Sequence, residues 1–282
     1  MYTTLISTAE LAANLEREDF LPIDCRFDLA KPDSGEAAYR IAHIPGAIYA
    51  HLDRDLSAPI SASTGRHPLP DPTRFAETLS RWGVDRDTQV VAYDADNAAH
   101  AARLWWMLRW MGHEKVAVLD GGLKGWQDAG LPLTAELPVR ARTNFPARQR
   151  REMWLDVEEL QERLAQGWRL LDARAAERFA GKIEPIDPIA GHIPGAVNHP
   201  LSTNLAADSR FLPAEVLRER YARSQNAVED AHTIAMCGSG VTACHLLLAM
   251  EVAGKPGARL YAGSWSEWIR DPSRPTAVGD SG

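Results

Sequence analysis

The chain is poor in cysteine, with three among its 282 residues, and it has no long apolar run. Three cysteines without metal-ligand spacing provide neither a zinc site nor a disulfide framework. No run is long enough to span a membrane, and the N-terminal residues lack a signal-peptide pattern. A net charge of −7 without a basic stripe argues against binding to nucleic acid or a membrane surface. We therefore expect a cytoplasmic, globular protein that uses no metal or other cofactor.

The strongest organisational feature is an internal repeat. The sequence His-Ile-Pro-Gly-Ala occurs at residues 43–47 and again at 192–196. An Asp-x-Arg segment at 24–26 recurs at 172–174, and a Gly-x-x-x-x-Trp segment beginning at Gly121 recurs at Gly263. The order and nearly constant separation of these pairs indicate duplication of a whole domain of roughly 130 residues.

Each half alternates apolar runs with helical patterns. Short runs bounded by turns are typical of buried parallel strands. They lie at 20–24, 89–93 and 115–119 in the first half and at 168–172, 232–236 and 258–261 in the second. The first helix of each half begins with a capping box, at Ser7 and Glu10 and at Asp156 and Glu159. The pattern predicts an α/β fold of two tandem domains, each a mainly parallel sheet flanked by helices on both faces.

Domain boundaries follow from the repeat and from an interruption in periodicity. Prolines and arginines break the pattern between the halves, which predicts a surface linker over 137–152. The first domain is then 1–136 and the second 153–282. Asp94 stands in the first domain where the second has Cys237. Because a carboxylate cannot act as a sulfur nucleophile, we expect only the second domain to be catalytic.

The most informative segment is Cys-Gly-Ser-Gly-Val-Thr at residues 237–242, between an apolar run and a helical pattern. Glycines let the backbone curl so that several N–H groups point inward, and the following helix adds partial positive charge. This exposed, electropositive setting favours a thiolate and predicts a nucleophile. A buried structural cysteine and a phosphate cradle are the alternatives. A phosphatase of the Cys-x5-Arg type needs arginine where this chain has Ala243.

Together these motifs resemble the two-domain sulfurtransferases, the rhodanese and 3-mercaptopyruvate sulfurtransferase family. The resemblance implies that Cys237 takes a sulfur atom from a donor as a persulfide and passes it to an acceptor. Residues 237–242 match the loop of the mercaptopyruvate class, whereas the thiosulfate class has two cations there. Ser239 is then able to exchange a proton with the departing group. The implied substrate-binding residues are Arg178, Gly238, Gly240, Val241 and Thr242.

The chain departs from this family at two places. Mercaptopyruvate enzymes carry a second arginine nine residues after the first, but this chain has Asp187, with Lys182 as a weak substitute. His67 matches the histidine of a serine–histidine–aspartate relay and is a candidate catalytic residue. The expected aspartate is replaced by His51, with Asp53 two residues further on.

The predicted function is transfer of a sulfane sulfur from 3-mercaptopyruvate to a thiol, cyanide or reductant. A thioredoxin-like protein is one such thiol acceptor. The alternatives are a thiosulfate sulfurtransferase, favoured by Asp187, and a persulfide carrier or redox sensor without small-molecule turnover. The remaining conspicuous residues are predicted to be structural: Cys25, Cys244, His43, His192, the Asp24–Arg26 and Asp172–Arg174 pairs, and Trp105, Trp106 and Trp110.

Overall fold

Two five-stranded parallel sheets form the framework of the chain in the computed structural model, which describes residues 1–280. The first unit comprises residues 1–58, 70–150 and 206–211. The second comprises residues 59–69, 151–205 and the described chain from residue 212 onward. Each unit therefore includes a short segment from the other half of the sequence, and the boundaries inferred from the sequence stay a prediction.

The first unit is built on a sheet of order β1-β5-β4-β2-β3. Its strands are β1 Leu5–Ile6, β2 Phe20–Asp24, β3 Ile48–Tyr49, β4 Gln89–Tyr93 and β5 Val116–Leu119. Its helices are α1 Thr8–Asn14, α2 Ser34–Ile41, α3 Pro72–Arg81, α4 Ala101–Trp110 and α5 Gly122–Asp128.

The second unit repeats this order as β6-β10-β9-β7-β8. Its strands are β6 Trp154–Leu155, β7 Arg169–Asp172, β8 Val197–Asn198, β9 Thr233–Met236 and β10 Arg259–Tyr261. Its helices are α6 Val157–Ala165, α7 Ala176–Phe179, α8 Ala214–Gln225, α9 Thr242–Val252 and α10 Ser264–Trp268, with 3₁₀ turns at Arg151–Met153, Leu201–Asn204 and Asp230–His232. Identical strand order in both units agrees with duplication of one domain.

The predicted strands are confirmed, and their burial explains why they were visible in the sequence. All residues of β2, β4 and β5 are buried, as expected for strands covered on both faces. Strands β1, β3, β6 and β8 were not predicted, because two residues are too few to show any period. Both capping boxes form, at Ser7 of α1 and at Asp156 of α6.

The repeated His-Ile-Pro-Gly-Ala segment has the predicted structural role. His43 is fully buried, stacks on Tyr39 at 4.0 Å between ring centroids, and places its Nδ1 2.6 Å from the Tyr39 carbonyl. His192 does the same with Phe179, at 3.8 Å between rings and 2.8 Å to the carbonyl. Each histidine therefore fastens the loop after a helix to that helix, in the first unit as in the second.

The segment predicted as a linker packs on the first unit as far as residue 150. Phe145 is buried, and its N–H donates to Ser80 Oγ at 3.1 Å. The N–H groups of Thr143 and Arg148 donate to carbonyls of Ser80 and Met111. These isolated hydrogen bonds need no periodic sequence pattern, which explains why the segment was predicted to be a surface linker. Among residues 1–280, no helix combines the length and the apolarity needed to cross a bilayer.

Candidate active site

Cys237 lies directly after β9, at the carboxyl end of the central strand of its sheet. Its Sγ accepts hydrogen bonds from the N–H groups of Ser239, at 3.4 Å, and Gly240, at 3.1 Å. Helix α9 begins at Thr242, so its N-terminus lies at this loop. Backbone dipoles therefore converge on the sulfur, and they stabilise negative charge there.

The sulfur is more enclosed than the sequence suggested. We expected an exposed cysteine, but the side chain of Cys237 is 2% exposed. The loop closes because its carbonyls accept from the start of α10: Trp265 N–H donates to Cys237 and Ser266 N–H to Gly238, at 3.0 and 2.9 Å. Burial removes competing water, so the two amides act on the sulfur in a medium of low dielectric constant.

The second Gly-x-x-x-x-Trp segment, residues 263–268, holds the Cys237 loop in place through hydrogen bonds. Ser264 has a left-handed backbone, with φ of +53°, which is strained for a residue with a side chain. Its hydroxyl accepts from the N–H of Cys237 at 3.1 Å and donates to the carbonyl of Tyr261 at 3.0 Å. Ser264 thus ties Cys237 to the end of β10, a role that no motif in the sequence predicts.

The two loop glycines have close neighbours, but only at Gly240 is the neighbour backbone. Gly240 has φ of +78°, and a Cβ there would collide with the carbonyl oxygen of Ala262. A Cβ at Gly238 would lie 2.8 Å from Nη2 of Arg66 and 3.7 Å from Nη1 and Nη2 of Arg178. Two guanidinium groups therefore border the residue that follows Cys237.

Ser239 and His67 form a hydrogen-bonded pair, with 2.8 Å between Oγ and Nδ1. Both are almost fully buried. His67 reaches Ser239 because residues 59–69 belong to the second unit, although they lie in the first half of the sequence. The pair is able to move a proton to or from a group bound beside Ser239.

His51 and Asp53, considered for the aspartate position of the serine–histidine–aspartate relay, lie in the first unit. His51 Nδ1 accepts from the N–H of Asp53 at 3.1 Å and from that of Arg54 at 3.4 Å. The His51 N–H donates to Asp55 at 2.9 Å. His51 therefore caps a turn of its own chain segment.

Arg178 is on α7 and is held by two carboxylates. Its Nε and Nη2 donate to Glu184, with a shortest distance of 2.7 Å, and Nη2 also donates to Asp187 at 3.1 Å. Burial opposes ionisation of Glu184, but hydrogen bonds from Arg178 and from two backbone N–H groups outweigh it and lower the pKa of this carboxyl. Burial raises the pKa of Asp187, although Arg66 and Arg178 act in the opposite direction.

Asp187, which stands where a cation was expected, bridges Arg178 and Arg66. One of its oxygens accepts from Arg178 and the other from Arg66. Sequence reasoning missed Arg66, whose only signal was its place next to His67. Lys182, considered as a substitute cation, is wrong for this role, because it is exposed and pairs with Asp280 at 2.7 Å.

The other predicted residues fall into two groups. Val241 and Thr242 form the start of α9, so they shape the loop through their backbone. The residues predicted to be structural are buried in the two cores or in ion pairs at strand ends: Cys25, Cys244, Trp105, Trp106, Trp110, Asp24 with Arg26, and Asp172 with Arg174. Burial raises the pKa of the Cys25 thiol well above its usual value.

No metal centre is recognisable within the described part of the chain. Nowhere in residues 1–280 do three or more His, Cys, Asp or Glu side chains converge as metal ligands would.

Comparison with known proteins identifies the domain type. The family description "Rhodanese-like domain" matches residues 7–129 and again 156–271. A probable 3-mercaptopyruvate sulfurtransferase of Pseudomonas aeruginosa is 50% identical over 279 residues, covering 98% of each chain. A putative thiosulfate sulfurtransferase of Mycobacterium tuberculosis is 40% identical over 98% of this chain and 97% of its own. Among solved structures, a 3-mercaptopyruvate sulfurtransferase from Leishmania major superposes with a TM-score of 0.85 at 31% identity, covering 96% of this chain and 76% of its own.

Proposed function

Because the chain belongs to the family of proteins with rhodanese-like domains, we propose that it is a sulfurtransferase in which Cys237 carries the sulfur. The observation that carries the proposal is the pair of backbone N–H groups directed at Cys237 Sγ. These amides support the thiolate before transfer, and they suit a loop that must hold a persulfide afterwards. The similarity to sulfurtransferases over almost the whole chain supports the same reaction class.

The first half-reaction loads the cysteine. With 3-mercaptopyruvate, the Cys237 thiolate attacks the substrate sulfur, the S–S bond forms and the carbon–sulfur bond breaks. The bonding electrons leave with the carbon fragment as the enolate of pyruvate, which takes up one proton to become pyruvate. Ser239, hydrogen-bonded to His67, is placed to donate that proton, and His67 then resupplies it.

The second half-reaction unloads the enzyme. An acceptor thiolate attacks the outer sulfur of the Cys237 persulfide, a new S–S bond forms on the acceptor, and the Cys237 thiolate leaves with the electrons of the old bond. Cyanide accepts the sulfur in the same way to give thiocyanate. We propose a small thiol or a thioredoxin-like dithiol as acceptor, since both supply the required thiolate.

The loop itself favours the mercaptopyruvate donor. Between Cys237 and Thr242 there is no cation, whereas a dianion such as thiosulfate needs concentrated positive charge. Although aspartate at position 187 resembles the thiosulfate class, its carboxylate pairs with Arg66 and Arg178 and offsets part of their positive charge. A monoanionic carboxylate therefore fits this site better than a dianion.

The donor assignment is tested by mixing purified protein with each donor and following the intact mass. We expect a gain of one sulfur at Cys237, removed by reductant. We also expect a kcat/KM for mercaptopyruvate at least about tenfold higher than for thiosulfate, which corresponds to ~1.4 kcal/mol of transition-state preference. Equal or reversed values would favour the thiosulfate reaction, for which the Mycobacterium relative is named. Loading without multiple turnovers on cyanide would instead indicate a persulfide carrier.

A further inference from the structure

The segment that carries Arg66 is fixed onto the second unit. The N–H of Arg66 donates to Ser266 Oγ at 3.1 Å, and Arg270 Nε donates to the carbonyl of Thr64 at 3.1 Å. Gly65 permits this approach, because a Cβ there would lie 2.5 Å from the carbonyl oxygen of Gly263. The backbone of Arg66 is therefore attached to the same α10 segment that braces the Cys237 loop.

The side chain of Arg66 extends over the loop. Its Nη1 pairs with Asp187, and its Nη2 would be the nearest atom, at 2.8 Å, to a Cβ added at Gly238. Arg178 approaches the same point, with Nη1 and Nη2 both at 3.7 Å. Asp187 thus joins two guanidinium groups that meet beside the residue after the nucleophile.

Each of these arginines keeps hydrogen-bond capacity. Arg66 Nε is buried and has no hydrogen-bond partner within the described chain. Arg178 uses Nε and Nη2 for its carboxylate partners, and among residues 1–280 no acceptor lies within bonding distance of its Nη1. A buried guanidinium N–H without an acceptor is unfavourable, and a carboxylate supplies two acceptor oxygens in a geometry that suits guanidinium groups. The second unit therefore presents a pair of incompletely bonded arginines beside Cys237.

We infer that Arg66 binds the carboxylate of the sulfur donor together with Arg178, and that Asp187 orients both guanidinium groups for this. The inference rests on the proposed function and deepens it, because it names the group that recognises the donor's acid end. It also accounts for aspartate at position 187. Arg66 supplies the second positive charge, and Asp187 holds Arg66 and Arg178 in place.

The test removes the charge from each side of the contact. Arg66→Gln and Arg66→Lys are assayed with 3-mercaptopyruvate and with mercaptoacetone, which is the same thiol ketone without the carboxylate. We expect Arg66→Gln to lower kcat/KM for mercaptopyruvate about 30-fold, mainly through KM, as for loss of a charge-assisted hydrogen-bonded pair. For mercaptoacetone the change should be less than about twofold, and Arg66→Lys should recover part of the loss. Arg223→Gln, on the exposed side of α8, is the matched control for loss of one positive charge.

A binding measurement keeps the result independent of turnover. Isothermal titration of pyruvate, the product that retains the carboxylate, should show about 30-fold weaker binding to Arg66→Gln than to the unaltered protein and to Arg223→Gln. Equal losses with both donors, or unchanged pyruvate binding, would overturn the role of Arg66. If instead the unaltered protein gains no sulfur from either donor, the proposed function fails, while pyruvate binding still decides the Arg66 contact.

Discussion

The two units place different groups at the same point of the same scaffold. After β4, the carboxylate of Asp94 accepts from the N–H groups of Ala98, His100 and Ala101, at 2.8 to 3.0 Å. After β9, the sulfur of Cys237 occupies the equivalent position. Each loop thus turns its amides towards an anionic or ionisable group, and in the first unit a fixed carboxylate fills the cradle.

The brace behind each loop is also shared. Leu123 N–H donates to the carbonyl of Asp94 and Lys124 N–H to that of Ala95, both at 2.9 Å. These bonds reproduce the pair from α10 to the Cys237 loop. Duplication therefore preserved a way of holding a loop at the end of a strand. The two loops differ in the group at their centre: the Asp94 carboxylate accepts from three N–H groups, whereas the Cys237 sulfur accepts from two and is the proposed nucleophile.

Removing the sulfur of Cys237 should reduce activity more than any other change. Cys237→Ser should lower sulfur transfer by at least about 1,000-fold, because a hydroxyl remains protonated in this loop and cannot carry a persulfide. Steady-state assays and intact mass with mercaptopyruvate give the measurement. Cys25→Ala, in the first unit, should keep activity in the folded fraction, and retained activity in Cys237→Ser would refute the nucleophile.

The role of Asp94 in the first unit is tested by the variant Asp94→Ala. Three buried N–H groups lose their acceptor, so the free energy of unfolding should fall by about 2–4 kcal/mol. Urea denaturation measures it. Asp96 lies in the same loop and its side chain makes no hydrogen bond within residues 1–280, so Asp96→Ala should change the free energy of unfolding by less than about 0.5 kcal/mol. Similar stability of both variants would show that the carboxylate does not hold the loop.

A pair of glycine variants distinguishes the cost of backbone strain from the cost of steric collision. Gly240→Ala and Gly195→Ala introduce the same side chain at φ of +78° and +81°, but only the first meets a neighbour, the carbonyl of Ala262. Gly195→Ala should cost about 1 kcal/mol and leave kcat unchanged. Gly240→Ala should cost about 2–3 kcal/mol and displace the amide that faces the sulfur, lowering kcat. If thermal unfolding shows the same loss of stability for both variants, and kcat is also the same, the collision with Ala262 has no influence.

The duplication, the parallel sheets and the loop around Cys237 were all predictable from the order of the amino acids alone. These features are local: buried strands are continuous apolar runs, capping boxes span four residues, and Cys237 sits within its own nest. The structural role of His43 and His192 was predictable from their recurrence in both halves, and each bonds to a carbonyl at the end of a helix.

The surroundings of the Cys237 sulfur became visible only in the folded chain. Arg66 and His67 reach Asp187 and Ser239 from more than a hundred residues away in sequence, through a segment that folds with the second unit. The enclosure of Cys237 likewise depends on Trp265 and Ser266 bonding back to the loop. Such long-range pairings leave no periodic signal, because their geometry is set by packing of whole elements and not by the spacing of residues along one of them.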